Sequence, residues 1–242
     1  MGEAFARGWR EEPWRGYGPG PPTVFAAVEA GAGWDEAARA LYGGRGSYGN
    51  GAAMRAAPIG LAARGDLARA VALARRSARI THAHELGRQA AALQAAAVTL
   101  LAVSPPGWGQ SAETLIPTVR PAAPDPAFQA QLDQLAGLPA DGAAEDVARA
   151  LGNGVSGVEA VPAAIAAFLR YPGQFGLAVK YAVCLGGDTD TIASMAGALC
   201  GAALGAAAIP RAWVQRLEAA GELVRLADRL LELPTAGARH PL

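Results

Sequence analysis

Charge is scarce in this chain of 242 residues: Asp, Glu, Lys and Arg make up 17% of it, and the formal net charge is zero. Nothing in that balance points to a nucleic-acid-binding face or an acidic tail. Lysine is nearly absent, with Lys180 the single example, so the positive charge rests on arginine. Coding bias in a GC-rich genome explains that better than a phosphate-binding strategy does. Cysteine is scarce too. Cys184 and Cys200 form no C-x-x-C pair, which argues for buried thiols in a reducing cytoplasm. The first ten residues lack the apolar core of a signal peptide. Strand-period alternation, internal repeats and linkers long enough to separate domains are missing as well. The expectation is one all-α domain over residues 1–242, long enough to bury a substantial core.

One uncharged run, Thr191 to Pro210, is long enough to span a bilayer. It is mostly Ala and Gly and begins beside two aspartates. It therefore reads as a buried helix with Ala196, Gly197, Gly201 and Gly205 at close helix contacts, and no membrane partner is expected. Directly before it stands Leu185-Gly-Gly-Asp-Thr-Asp-Thr191. Asp188 and Thr191 are three apart and share a face once a helix has begun. Asp190 reaches the same cavity only from an irregular first turn. Two carboxylates and a hydroxyl are hard oxygen ligands of the kind that hold magnesium or calcium. The competing reading is an Asp/Thr cap on the first free amides of the helix.

A second glycine-rich stretch, Gly46-Ser-Tyr-Gly-Asn-Gly-Ala-Ala-Met-Arg55, opens another helix. Free amides at a helix N-terminus attract anions. Ser47 and Asn50 add donors, and Tyr48 adds a ring. The plainer alternative is a turn capped by Asn50. Between the two motifs lies Thr81-His-Ala-His84. Two histidines two apart suggest a transition metal, but no third ligand is near and His240 sits at the tail, so a histidine capping a helix junction is the stronger reading. The remaining elements follow from period and punctuation. Helices are expected at residues 3–10, Val24–Ala30 after a capping Thr23, Asp35–Tyr42, Asp66–Ile80 with a solvated basic face, and Glu85–Val103, with Pro58 interrupting one. Further helices are expected over Glu145–Leu151, Val158–Leu169 with Pro162 in its first turn, Phe175–Cys184, from Pro210, and Gly221–Leu233.

The string Leu185-Gly-Gly-Asp-Thr-Asp-Thr-Ile-Ala-Ser-Met-Ala-Gly-Ala-Leu199 resembles the C-terminal metal motif of the ADP-ribosylglycohydrolase family. Gly-Ser-Tyr-Gly-Asn-Gly resembles the branch that removes ADP-ribose from serine and degrades poly(ADP-ribose). The resemblance implies a single orthogonal helical bundle and a magnesium-dependent hydrolase acting on ADP-ribosylated proteins or related conjugates. It implies that Asp188, Asp190 and Thr191 ligate metal, two Mg2+ ions being expected in the complete family site. It also implies that Ser47, Tyr48, Gly49, Asn50 and His82 hold the diphosphate and ribose of ADP-ribose.

Two family segments have no counterpart here: a leading Gly-Asp and glutamate stretch, and a Thr-Asp-Asp-Thr/Ser string. No Asp-Asp pair exists in the chain. The resemblance therefore implies a bundle that is N-terminally incomplete, and no catalytic acid or base is named. The alternative function is a catalytically inactive ADP-ribose-binding module or a structural relative.

Overall fold

A computed structural model describes residues 1–233, so His240 lies outside the described residues. Among the described residues the secondary structure is helical, apart from one isolated bridge between Gly49 and Ser156. The first half of the chain forms α1 (Gly2–Glu11), α2 (Gly20–Glu29), α3 (Trp34–Gly44), α4 (Gly51–Met54), α5 (Ala57–Ala63), α6 (Leu67–Ala78) and α7 (Glu85–Val103). The second half forms α8 (Ala112–Val119), α9 (Pro126–Ala136), α10 (Ala144–Leu151), α11 (Gly157–Arg170), α12 (Phe175–Cys184), α13 (Thr189–Leu204), α14 (Arg211–Val214) and α15 (Ala220–Leu231).

Proline explains most of the differences from expectation. Pro21 and Pro22 occupy the first turn of α2, where a missing N–H costs nothing, so the helix starts earlier than expected. Thr23 is then inside the helix, and its hydroxyl donates to the Pro19 carbonyl at 2.9 Å instead of capping. Pro58 starts α5 in the same way and does not interrupt a longer helix. Pro162 lies in the interior of α11, past the first turn. The caps that do form are side-chain oxygens on free amides. Asp66 accepts from Arg69 N at 2.9 Å, and Ser156 accepts from Val158 N at 3.3 Å.

Helix α7 is the centre of the fold. It is buried on nearly all sides, which is why its sequence is apolar all round and not striped. Helices α4, α5 and α6 pack against it, as do α8, α11 and α13. Small side chains set the spacing. A Cβ at Gly60 would lie 2.7 Å from the Ala95 carbonyl, and one at Gly157 would lie 2.5 Å from the Ala90 Cβ. Leu93, Val98 and Leu101 of α7 join Leu115, Phe128 and Phe168 in the main core. The core polar groups are used as ties. Gln94 Nε2 donates to the Met195 carbonyl at 3.1 Å, and the Thr99 hydroxyl accepts from Gly65 N at 2.9 Å.

Among the described residues, α7 and not Thr191–Pro210 is the helix long and apolar enough to cross a membrane, and 72% of its apolar window is buried within the fold. Helix α13 ends at Leu204, where Gly205 turns the backbone to φ 76°. Cys200 is buried, and burial pushes its thiol up to about 12, but Cys184 is exposed on the last turn of α12. The basic face of α6 is also more than a solvated surface. Arg79 and Arg39 both bond Asp35 of α3, at 2.9 and 2.8 Å, and hold its carboxyl down to about 2.

Close approach to α7 makes Gly60 sensitive. Gly60→Ala is expected to lower unfolding free energy by about 1–3 kcal/mol, as overpacking does in a filled core. Urea denaturation measures it, and a change under about 0.5 kcal/mol would contradict the contact.

Candidate active site

The Gly46–Asn50 turn is built by close backbone contacts. Gly46 has φ 73°, and a Cβ there would lie 2.7 Å from His84 N. A Cβ at Gly87 would lie 2.7 Å from the Ser47 carbonyl, so glycine lets the start of α7 reach the turn. Ser47 Oγ accepts from Gly49 N at 3.2 Å. Asn50 N donates to the Val155 carbonyl at 2.9 Å, and Gly157 N donates to the Tyr48 carbonyl at 3.0 Å. These bonds stitch the turn to the start of α11.

Asn50 does not cap α4. Its Nδ2 donates to Asp188 Oδ2 at 2.5 Å, joining two motifs 138 residues apart in the chain. Helix α4 has only four residues, so its dipole contributes little, and the turn's own amides and side chains supply the donors.

The acidic turn is equally constrained. Gly186 and Gly187 have φ of 75° and 64°, and a Cβ at Gly187 would lie 2.1 Å from the Asn153 carbonyl. Asp188 N donates to that carbonyl at 2.8 Å, while Asn153 Nδ2 donates to the Leu185 carbonyl at 2.7 Å. Glu159 braces the same loop by accepting from Gly154 N at 2.9 Å. Asp188 precedes α13 and makes no cap. Asp190 is exposed, and its Oδ1 accepts from Thr191 N at 2.8 Å. Thr191 is buried, with its hydroxyl 3.9 Å from the Met54 sulfur. Asp188 and Thr191 thus both meet α4 and its preceding residue, while Asp190 is exposed on the first turn of α13. Among the described residues no three His, Cys, Asp or Glu side chains come together.

His82 lies beneath the first turn, 6% exposed. Its Nδ1 is 2.7 Å from the Thr81 hydroxyl, which accepts from Arg55 Nη2 at 2.8 Å. Burial, and then the nearby Arg55 charge, push its imidazole down to about 3, so the ring is neutral at physiological pH. His84 caps α7, its Nδ1 accepting from Leu86 N at 3.1 Å, and packs edge-on to Tyr48 at 5.6 Å between centroids. The Tyr48 ring is half exposed at the rim.

Ser47, Gly49, Asn50 and His82 therefore come together, with Tyr48 beside them and Asp188 in direct contact. Sequence reasoning missed Asn153, Glu159 and Met54. Gly152-Asn-Gly154 carries a signal only for a helix end, and nothing local says that its asparagine will brace a turn thirty-odd residues away.

The chain as a whole is similar to known proteins. The ADP-ribosylglycohydrolase family model matches residues 1–239. ADP-ribosylhydrolase ARH3 of Homo sapiens is 36% identical over 263 residues, spanning 95% of this chain and 71% of that protein. The protein of the same name from Gallus gallus is 35% identical, spanning 96% and 71%. A solved structure titled ADP-ribosylglycohydrolase-related protein complex superposes with a TM-score of 0.62 at 26% identity, over 95% of this chain and 78% of that one. The expectation of an N-terminally incomplete bundle is not borne out by the structural comparison.

A neutral buried histidine gives stability a definite pH sign. The unfolded ring titrates near 6.5 and the folded one near 3. Between those values the unfolded chain binds more protons, so stability is complete above about pH 6.5 and falls as pH drops. From pH 7 to pH 5 the loss is expected to be about 2 kcal/mol, and His82→Asn should remove most of it. Denaturation of both chains at the two pH values checks this, and equal losses would sink it.

Proposed function

The chain belongs to the ADP-ribosylglycohydrolase family and is a hydrolase, and from that premise we propose that it cleaves ADP-ribose from modified proteins or related conjugates, with magnesium at the Asp188 turn. The observation that carries this reading is the 2.5 Å bond from Asn50 to Asp188. It sets a donor-rich turn, suited to diphosphate and ribose, directly against a carboxylate.

Magnesium is commonly held by one or two carboxylates and keeps several waters. Asp188 Oδ1 is free of the Asn50 bond, Asp190 Oδ2 is free of the Thr191 bond, and the Thr191 hydroxyl is the third oxygen. These residues fit one hydrated ion and are too few for a pair. Bound there, magnesium would supply Lewis-acid polarisation of nearby hydroxyl and water oxygens.

The chain's own residues have separable tasks. The Ser47 and Tyr48 amides and the Ser47 hydroxyl would donate to diphosphate oxygens, as turn amides do in anion sites, the Gly49 and Asn50 amides being bonded within the fold. The Tyr48 ring at the rim offers a face to a base or sugar. Asn50 orients Asp188, and the Asn153 brace holds the whole acidic turn at fixed distance. Cleavage at the anomeric carbon through an oxocarbenium-like state would then need a water placed on this side of the sugar. Serine-linked ADP-ribose and poly(ADP-ribose) are the first substrates to assay.

A binding module without turnover is the second reading, and one observation favours it: no third acidic side chain joins Asp188 and Asp190 among the described residues. Calorimetric titration with ADP-ribose separates the two. Under the hydrolase reading, magnesium should tighten binding about tenfold or more, and Asp188→Asn should abolish that gain. Tight binding that ignores magnesium, with no release of ADP-ribose from either substrate, would leave the module. No binding in either condition would overturn both.

A further inference from the structure

We infer that Arg55 and Thr81 are positioning residues that hold His82 as a neutral ring with its proton on Nε2, presenting a hydrogen-bond donor to the turn of Ser47 to Asn50. The identity of the ligand rests on the ADP-ribose reading above; the proton assignment does not.

The assignment follows from counting donors. A guanidinium has no acceptor, so the 2.8 Å contact runs from Arg55 Nη2 to the Thr81 oxygen. The 2.7 Å contact between Thr81 Oγ1 and His82 Nδ1 has two possible directions. If Nδ1 carried the proton, two donors would converge on the Thr81 oxygen. The hydroxyl hydrogen would then need another acceptor, inside a residue that is 2% exposed. A buried hydroxyl left unsatisfied is costly. If the hydroxyl donates to Nδ1, the Thr81 hydroxyl and Nδ1 are both satisfied and the ring proton sits on Nε2. A doubly protonated ring meets the same obstacle as the first arrangement and adds a second cation beside Arg55.

The other end of the relay is anchored. Arg55 Nη1 donates to the Gly51 carbonyl at 3.0 Å, and its guanidinium carbon stands 4.9 Å from the centre of the Phe5 ring. Burial lowers the Arg55 guanidinium to about 10, which leaves it cationic at neutral pH. At the ligand end, Nε2 faces glycine. A Cβ at Gly51 would lie 3.0 Å from it, and one at Gly49 would lie 3.6 Å away. Those two glycines keep the donor uncovered where any larger residue would crowd it. Met54-Arg55 directly after the glycine turn thus has a physical use: it places a fixed cation behind the histidine.

Long-range proton–nitrogen NMR on the histidine-labelled full chain reads which ring nitrogen carries the proton, with no ligand added. The expected wild-type spectrum shows His82 as one neutral tautomer protonated on Nε2, unchanged between about pH 8 and pH 5. Thr81→Ser and Arg55→Lys should preserve it. Thr81→Val should mix the two tautomers and weaken ADP-ribose binding about tenfold in calorimetry, with affinity regained in Thr81→Ser. A wild-type ring protonated on Nδ1 would overturn the inference without any variant, as would an unaltered tautomer in a folded Thr81→Val chain. A spectrum as expected in a chain that binds no ADP-ribose would uphold the relay and remove the ADP-ribose reading instead.

Discussion

Single-carbon side chains along α7 let its neighbours approach at backbone distance, and the rest of the molecule depends on that spacing. Ala90 admits the start of α11 through Gly157, the Ala95 carbonyl admits α5 through Gly60, and Gly87 admits the Ser47 turn. A helix so enclosed cannot be amphipathic, and its few polar side chains must find internal partners. Gln89, Gln94 and Thr99 do so by tying the helix to Asp125, Met195 and Gly65. Close packing and polar ties reinforce each other: each tie requires a neighbour at hydrogen-bond distance, and only small residues permit it.

The candidate site sits where that packing runs out into loops. Two glycine turns, one before α4 and one before α13, are each held by a loop that precedes α11. The Tyr48–Asn50 backbone bonds Val155 and Gly157, while Asp188 bonds Asn153. One short segment, residues 153–157, therefore sets the distance between the donor turn and the carboxylate. Preorganisation of this sort lowers the ordering cost of a ligand, because neither turn has to be frozen on binding. It also explains why strict φ values near +70° are needed at Gly186 and Gly187: only glycine brings the acidic turn close enough to touch Asn153.

Charge at the site is arranged asymmetrically. The acid is partly exposed and met by a neutral amide, so it keeps a free oxygen for a cation. The cation Arg55 is half-buried on the far side of His82 and acts through two hydrogen bonds. Separating them with a neutral histidine and an amide avoids a direct ion pair, which would have consumed both charges.

Much of this was legible in the residues alone. Apolar runs bounded by Gly, Pro and capping side chains determined where α6, α7 and α12 begin and end to within a few residues, because helix ends obey local chemistry. Asp188 and Thr191 declared a shared face by their spacing, and the glycine turn before Asn50 declared a close backbone approach. What the sequence could not decide was partnership. Asn50 reads locally as a cap, yet its side chain bonds Asp188; His82 and His84 look alike, yet one is buried beside a cation and the other caps α7. Asn153 carries no sign of its role at all. Caps and periods are settled within one turn of chain. Which polar group meets which across 138 residues is settled only when α7 has brought the elements together.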